Sequence, residues 1–304
     1  MKASKTLYRG GAALTLATRV LELTVTTSVG PRVVSLKSLA GDAGNLFLEL
    51  PRNDPRLHGY QLRGGHRLWR APEDVVDSYH PDDDPVGVTG LPAGVALRQP
   101  VEKETGLQKA ISIEFPADRT VRVVHTLTNL GRKPALCAPW PVTMLRRGGY
   151  GVIPLLPLRN QSGDNLVPRY SLVPWAYTDL SLPVWDLHSR FIGVDVARAK
   201  GAQKLGLTDF PGWSAYWNGG AVFVKFARAV DGAQHPDRGC RFETYTNGKM
   251  IELETLGALV NLAPGKSVAH TEYWTVLEGL PRPDTDKAFA KILEPAVRAW
   301  LTTL

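Results

Sequence analysis

Hydrophobic and polar positions alternate with a period of two along much of the chain, the pattern of strands with one buried face. Between residues 19 and 38, Leu21, Leu23 and Val25 alternate with Val20, Glu22 and Thr24, and Gly30-Pro31 separates this run from a second β-branched run, Arg32-Val-Val-Ser-Leu-Lys-Ser38. That reads as strand, turn and strand, an opening hairpin. An apolar run at 45–50 precedes Pro51 and a polar loop. Further short strands are predicted at 95–98, 110–115, 120–128, 135–145, 221–227, 241–246, 250–256 and 267–276, with turn signals such as Pro116-Ala-Asp118 and Asn129-Leu-Gly131 between them. Only the end of the chain changes period. From residue 285 to 304, Phe289, Ile292, Leu293, Ala296, Val297, Trp300 and Leu301 fall on one helical face, with Asp284 and Thr285 as caps and Pro295 predicting a kink or break.

Many short strands, turns drawn from 29 glycines and 23 prolines, and one terminal helix indicate an all-β architecture, a large antiparallel β-sandwich with a C-terminal helix at about 285–304. Composition adds exclusions. With 43% hydrophobic and 21% charged residues the chain falls in the ordinary globular range, and no apolar run approaches the roughly 20 residues a membrane span needs. Lys2 and Lys5 precede Ala12-Ala-Leu-Thr-Leu-Ala17, a run too short and interrupted for a secretory core, so a cytoplasmic protein is the default expectation. Cys137 and Cys240 lie far apart in strand-like runs and are expected to be buried free thiols. The net charge of +7 is scattered, and its densest cluster is only Arg146-Arg147, which argues against nucleic acid and for a basic surface suited to an acidic small substrate.

Candidate chemistry concentrates in a few places. Residues 63–74, Arg-Gly-Gly-His-Arg-Leu-Trp-Arg-Ala-Pro-Glu-Asp, have the composition of a polar site, with glycines that let a ligand approach; the plain alternative is a Gly-Gly turn and a surface loop. At 250–256, Met250, Glu252, Glu254 and Leu256 share one strand face, so two carboxylates stand about 7 Å apart, as a general base and a ligand-holding acceptor or as partners in surface ion pairs. Trp175, Tyr177, Asp179, Trp185, Asp186 and His188 lie in an irregular stretch at 167–190, a composition that suits a sugar and equally suits a cover loop. Asp82, Asp83 and Asp84 could hold a hard cation, but acids flanked by prolines read as a solvated loop, and no metal is expected. His125 shares a face with Val121, Val123 and Leu127, the setting of a core histidine.

The chain resembles the galactose mutarotase-like superfamily, which includes aldose 1-epimerases, and in particular a branch catalogued as a domain of unknown function. The resemblance is carried by Val29-Gly-Pro-Arg-Val-Val-Ser-Leu36, Gly64-Gly-His-Arg-Leu-Trp69, Thr126-Leu-Thr-Asn129, Glu252-Leu-Glu-Thr-Leu-Gly257, Leu262-Ala-Pro-Gly265 and His270-Thr-Glu-Tyr-Trp274. It spans nearly the whole chain and implies a single domain over residues 1–304, a galactose mutarotase-like supersandwich whose concave sheet binds a sugar. In that family a glutamate takes a proton from the anomeric hydroxyl and a histidine gives one to the ring oxygen. The resemblance assigns the base to Glu254, whereas the position of the family histidine is occupied by Trp140, whose indole N–H donates a hydrogen bond but not a proton.

The expected function is therefore carbohydrate-directed. As a mutarotase or epimerase the chain would use Glu254 as base and His66 as acid, with His125 or His188 next in line, and would position the sugar with Arg67, Trp69, Arg70, Glu252, Trp140, Trp175 and Tyr177. Loss of the family histidine favours instead a carbohydrate-binding protein without turnover, and a third reading is an interaction protein that uses the concave face. The expected partner is a small-molecule carbohydrate, acidic if the basic charge is a guide. No cofactor, nucleic acid or membrane is expected.

Overall fold

The computed structural model describes residues 1–51, 54–161 and 166–304. Two antiparallel sheets face each other, as the alternating pattern predicts. The first runs in the order Lys2–Tyr8, Gly11–Ala17, Leu21–Thr26, Arg32–Ser38, His66–Ala71, Ala135–Arg146, Met250–Thr255, Phe242–Thr246, Gln203–Leu207 and Leu172–Pro174, with Val260–Leu262 also pairing to Ala135–Arg146. The second runs Trp185–Leu187, Phe191–Asp195, Tyr150–Pro154, Trp213–Asn218, Ala221–Ala227, Ser267–Glu278, Thr120–Asn129, Leu107–Ala117, Gly94–Arg98 and Gly87–Leu91. Leu23, Val33, Leu68 and Leu253 from the first sheet meet Val123, Phe223 and Trp274 from the second in one buried core. Phe47, Phe223 and Trp274 touch edge to face there, with centroids 5.5–5.9 Å apart.

The outer face of the second sheet carries the C-terminal helix. Phe289, Leu293, Val297 and Trp300 bury their predicted stripe against Tyr150, Val152, Phe191, Trp213 and Val224. Thr285 caps the first turn, accepting from the Ala288 N–H at 3.1 Å. The chain stays helical through the expected break: a π-helical turn over Phe289–Leu293 runs directly into Glu294–Leu301, and Pro295, which has no N–H to donate, follows that wider turn.

Several elements differ from the sequence reading. The chain opens not on the 19–38 hairpin but on an earlier one, Lys2–Tyr8 paired with Gly11–Ala17. Lys2–Tyr8 is solvated on both faces, so it carries no alternation to detect. The 45–50 run makes only isolated bridges, Phe47 to Leu145 and Glu49 to Gly64. The polar stretch after Gly65 is a central strand, His66–Ala71. Its glycine pair is required: Gly64 and Gly65 have φ of 81° and 67°, and a Cβ on them would meet Leu48 O at 2.1 Å and Val33 O at 2.2 Å. Both cysteines are free and buried, as expected.

Candidate functional site

Cross-strand register decides which side chains share the open face of the first sheet. Thr26 pairs with Arg32, Arg32 with Arg67, Arg67 with Val142, Val142 with Glu254, and Glu254 with Glu243. Directly paired residues point to the same side, and residues two apart along a strand join them. This puts Trp69, Trp140, Glu252 and Tyr245 on the open face and His66, Leu68, Thr143 and Leu253 on the core face.

A cleft of about 390 Å³ opens there, lined among others by Arg67, Trp69, Trp140, Tyr177, Lys204 and Glu252. Its walls are aromatic. Trp69 and Trp140 lie 5.4 Å apart edge to face, Tyr79 stands 4.9 Å from Trp69, and the Arg67 guanidinium lies 3.7 Å over the Trp69 ring. Arg67 Nη2 donates to Glu252 Oε1 at 2.9 Å, while its buried Nε and Nη1 and the Trp69 indole N–H have no protein partner.

Glu254 lies beneath this floor, 1% exposed. The Trp140 indole donates to its Oε2 at 2.7 Å, Lys204 Nζ stands 3.4 Å from the same oxygen and 2.7 Å from Glu243 Oε2, and Glu254 Oε1 is unpartnered. Lys204 Nζ also sits 4.6 Å from the centres of both the Trp140 and Trp175 rings. Burial would lower the Lys204 pKa, but Glu254, Glu243 and Glu73 outweigh it and hold the ammonium well above its usual range. Burial raises Glu254, against the opposing pull of Lys204, and raises Glu243 well above the usual carboxylate range. A carboxyl whose pKa is raised is a stronger base than an ordinary carboxylate when ionised, and under an aromatic floor it can equally act as a hydrogen-bonded support.

The structure therefore gathers Arg67, Trp69, Trp140, Tyr177 and Glu252 around one cleft, with Glu254 below them and Trp175 against Lys204. Two expectations are corrected. His66 does not face Glu254: strand alternation that sends Arg67 and Trp69 into the cleft sends His66 into the inter-sheet core, where it is fully buried. Arg70 points the same way as His66 and is occupied by Asp77 Oδ2 at 2.6 Å and Leu136 O at 2.9 Å. The other histidines offer no replacement, since His125 is fully buried in the core and His188 lies at the edge of the second sheet, stacked on Phe191. The Asp82–Asp84 stretch is a loop as expected, with Asp83 and Asp84 exposed, but Asp82 is drawn under by Arg32 and Arg63, and Asp83 pairs with Arg56 and Arg63.

Sequence reasoning missed Lys204 and Glu243. Alternation along Phe242–Thr246 is enough to place Glu243 and Tyr245 on one face, but Lys204 sits in Gln203–Leu207, a strand the pattern did not reveal.

Among the described residues, His66, His125 and Glu272 have side-chain ligand atoms within 4.8 Å of one another, a set with the right chemistry for a metal. Their hydrogen bonds are already closed. His125 Nδ1 donates to His270 O at 3.1 Å, which leaves its Nε2 to accept from His66 Nε2 at 2.7 Å, while Thr143 Oγ1 serves His66 Nδ1 at 2.8 Å. Glu272 accepts from Thr255 at 2.6 Å and Trp274 at 2.8 Å and pairs with Lys225 at 2.9 Å. A cation would sit beside that ammonium, so the set does not fit a metal and is a buried polar network of the core.

Compared with protein-family models the sequence matches none, and it matches no curated protein. Its fold has counterparts among solved structures. A galactose mutarotase-like protein from Clostridium acetobutylicum superimposes with TM-score 0.59 at 12% identity, covering 91% of this chain and 98% of that one. A galactose mutarotase-like protein from Lactobacillus casei gives TM-score 0.58 at 12% identity, covering 87% and 100%. A TPR-domain containing protein from Parabacteroides distasonis gives TM-score 0.57 at 13% identity, covering 89% of this chain and 48% of that one. With two sheets in this order and these counterparts, the chain has the galactose mutarotase-like fold.

Proposed function

We propose that the open-face cleft binds a carbohydrate and holds it without opening its ring. Tyr177, about half exposed, offers a stacking surface for the C–H face of a sugar above a nearly buried floor of Trp69 and Trp140, and the Arg67–Glu252 pair offers donors and acceptors for its hydroxyls. The observation that carries the reading is the 2.7 Å hydrogen bond from the Trp140 indole to Glu254. It occupies one oxygen of the carboxylate that the family resemblance makes the base, with a group that cannot supply the acid's proton. No histidine is among the described residues lining the cleft, and Lys204 is held charged. A second reading, ring opening with Glu254 as base, is favoured by its unpartnered Oε1.

Calorimetry with a panel of mono- and disaccharides tests the binding claim. At least one sugar should bind the wild type and lose about tenfold or more in affinity on Tyr177→Ala or Arg67→Gln, each removing a stacking surface or a charged donor. Equal affinity in the variants, with their fold confirmed by circular dichroism, would move binding elsewhere; a cleft filled by a protein partner would favour an interaction role.

A further inference from the structure

Two open sheets present four edges, and among the described residues three of them are blunted. Lys2–Tyr8 carries Lys2 and Lys5, Leu172–Pro174 is three residues long and ends on a proline, and Trp185–Leu187 is three residues long with Asp186 at its centre. Charges, prolines and short lengths keep a sheet edge from pairing with another chain. The fourth edge, Gly87–Leu91 of the second sheet, lacks all three guards: its sequence Gly-Val-Thr-Gly-Leu is uncharged, and Val88 is 44% exposed.

The turn that follows assigns the hydrogen bonds of this strand. Gly87–Leu91 pairs with Gly94–Arg98, with Leu91 opposite Gly94 across Pro92 and Ala93. Pro92 has no N–H, so Leu91 and Gly94 must be a pair that exchanges hydrogen bonds, as must Thr89 with Ala96 and Gly87 with Arg98 at each second residue. The N–H and C=O groups of Val88 and Gly90 therefore point away from the sheet, into the open edge. That opening is bounded, because the Val86 N–H goes to Thr27 O at 3.0 Å and Pro92 has none to offer. Side chains alternate in the same way. Val88 lies beside the fully buried Leu97 and Gly90 beside Val95, so both belong to the core face, where Val88 is half covered and a Cβ added to Gly90 would meet nothing within 4 Å.

This edge is complementary to itself. Turned about a twofold axis at Thr89, a second copy of the chain sets each Val88 opposite a Gly90, and each such pair exchanges both of its hydrogen bonds. The Val88 side chain of either copy fills the space beside the other's Gly90, and the two Thr89 residues face each other between them. The match uses the outward N–H and C=O of Val88 and Gly90 and stops where Val86 and Pro92 have no N–H to give. We propose that Gly87–Leu91 is a homodimer edge, at which the second sheets of two copies join antiparallel in this register. The contact is small, so the dimer should form only at roughly 10–100 µM and above.

Sedimentation velocity over about 1 µM to 1 mM should show the wild type passing from monomer to dimer. Val88→Lys places a charge from each copy in the joined edge and should stay monomeric throughout; the site is exposed, so the monomer fold, followed by circular dichroism, survives. Crosslinking reads the register. In Thr89→Cys the two thiols meet at a non-hydrogen-bonded pair with Cα atoms about 4.5 Å apart, and mild oxidation should link the dimer; in Val88→Cys they stand two residues out of register, beyond the roughly 7 Å that a disulfide spans, and should link at least about tenfold more slowly. Cys137 and Cys240 are fully buried and do not compete. A dimer that survives Val88→Lys, or equal crosslinking of the two cysteine variants, overturns the proposal. So does a wild type that stays monomeric to about 1 mM, which would leave the edge to an extended peptide of another chain.

Discussion

Acidification should strip stability from the inter-sheet histidine network well before ordinary carboxylates titrate. His125 and His270 are fully enclosed; burial lowers His125 to about 4, partly offset by Glu272, and lowers His270 to about 3 against the same partner. Burial, then His125 and Lys225, push His66 well below the usual imidazole range. A depressed folded pKa means that the unfolded chain takes up protons first. Stability is full above the unfolded value of about 6.5 and is lost as pH falls toward the folded values. Between pH 7.5 and 5, linkage gives a loss of about 2 kcal/mol for His125 alone and a similar amount for His270. Glu243, raised by burial, works in the opposite sense over the same window, so the total pH profile of the wild type mixes both. Replacement of one histidine isolates its share. In His125→Gln the amide can take the place of Nε2 beside His66 without titrating, and urea unfolding at pH 7.5, 6.5, 5.5 and 5.0 should show the gap between wild type and variant shrinking by about 2 kcal/mol on acidification. A gap that stays constant with pH would mean that His125 is not held neutral in the folded state, and the network as described would be wrong.

Lys204→Met leaves Glu243 and Glu254 buried without their shared cation and should cost about 3 kcal/mol or more in urea unfolding. The cost should be larger at pH 8 than at pH 5.5, where the carboxyls can take up protons, and Glu243→Gln in the same chain should restore part of it. Gly65→Ala would drive a Cβ into Val33 O at a positive φ; it should lower Tm by many degrees or prevent folding, whereas Gly148→Ala, with nothing within 4 Å of the added Cβ but the same kind of φ, should cost about 1 kcal/mol.

Alternation carried the sequence reading a long way. It placed Glu252 and Glu254 on one face from spacing alone, and the register then set Arg67, Trp69 and Trp140 beside them. The same rule, applied to residues 63–74, would have turned His66 away from the cleft, because Arg67 and Trp69 cannot share a face with their even-numbered neighbours. His-Arg-Leu-Trp-Arg has the composition of a loop; the strand exists because its polar side chains find buried partners, Thr143 and His125 for His66 and Glu252 for Arg67. Lys204 stayed hidden for a related reason. Its charge is stabilised by two glutamates on strands distant in sequence, and nothing local to Gln203–Leu207 announces them. The edge hairpin at the N-terminus escaped notice because no core dictates its pattern.

Trp140 decides whether Glu254 can act as a base. NMR on freshly dissolved single-anomer sugars, neutral and acidic, reads both binding and turnover in one experiment. With Glu254 held by the Trp140 indole, at least one sugar should show broadening or shifts on addition of the protein while its anomers interconvert no faster than in buffer. Interconversion that is accelerated by the wild type and returns to the buffer rate in Glu254→Gln would contradict this and make Glu254 a working base.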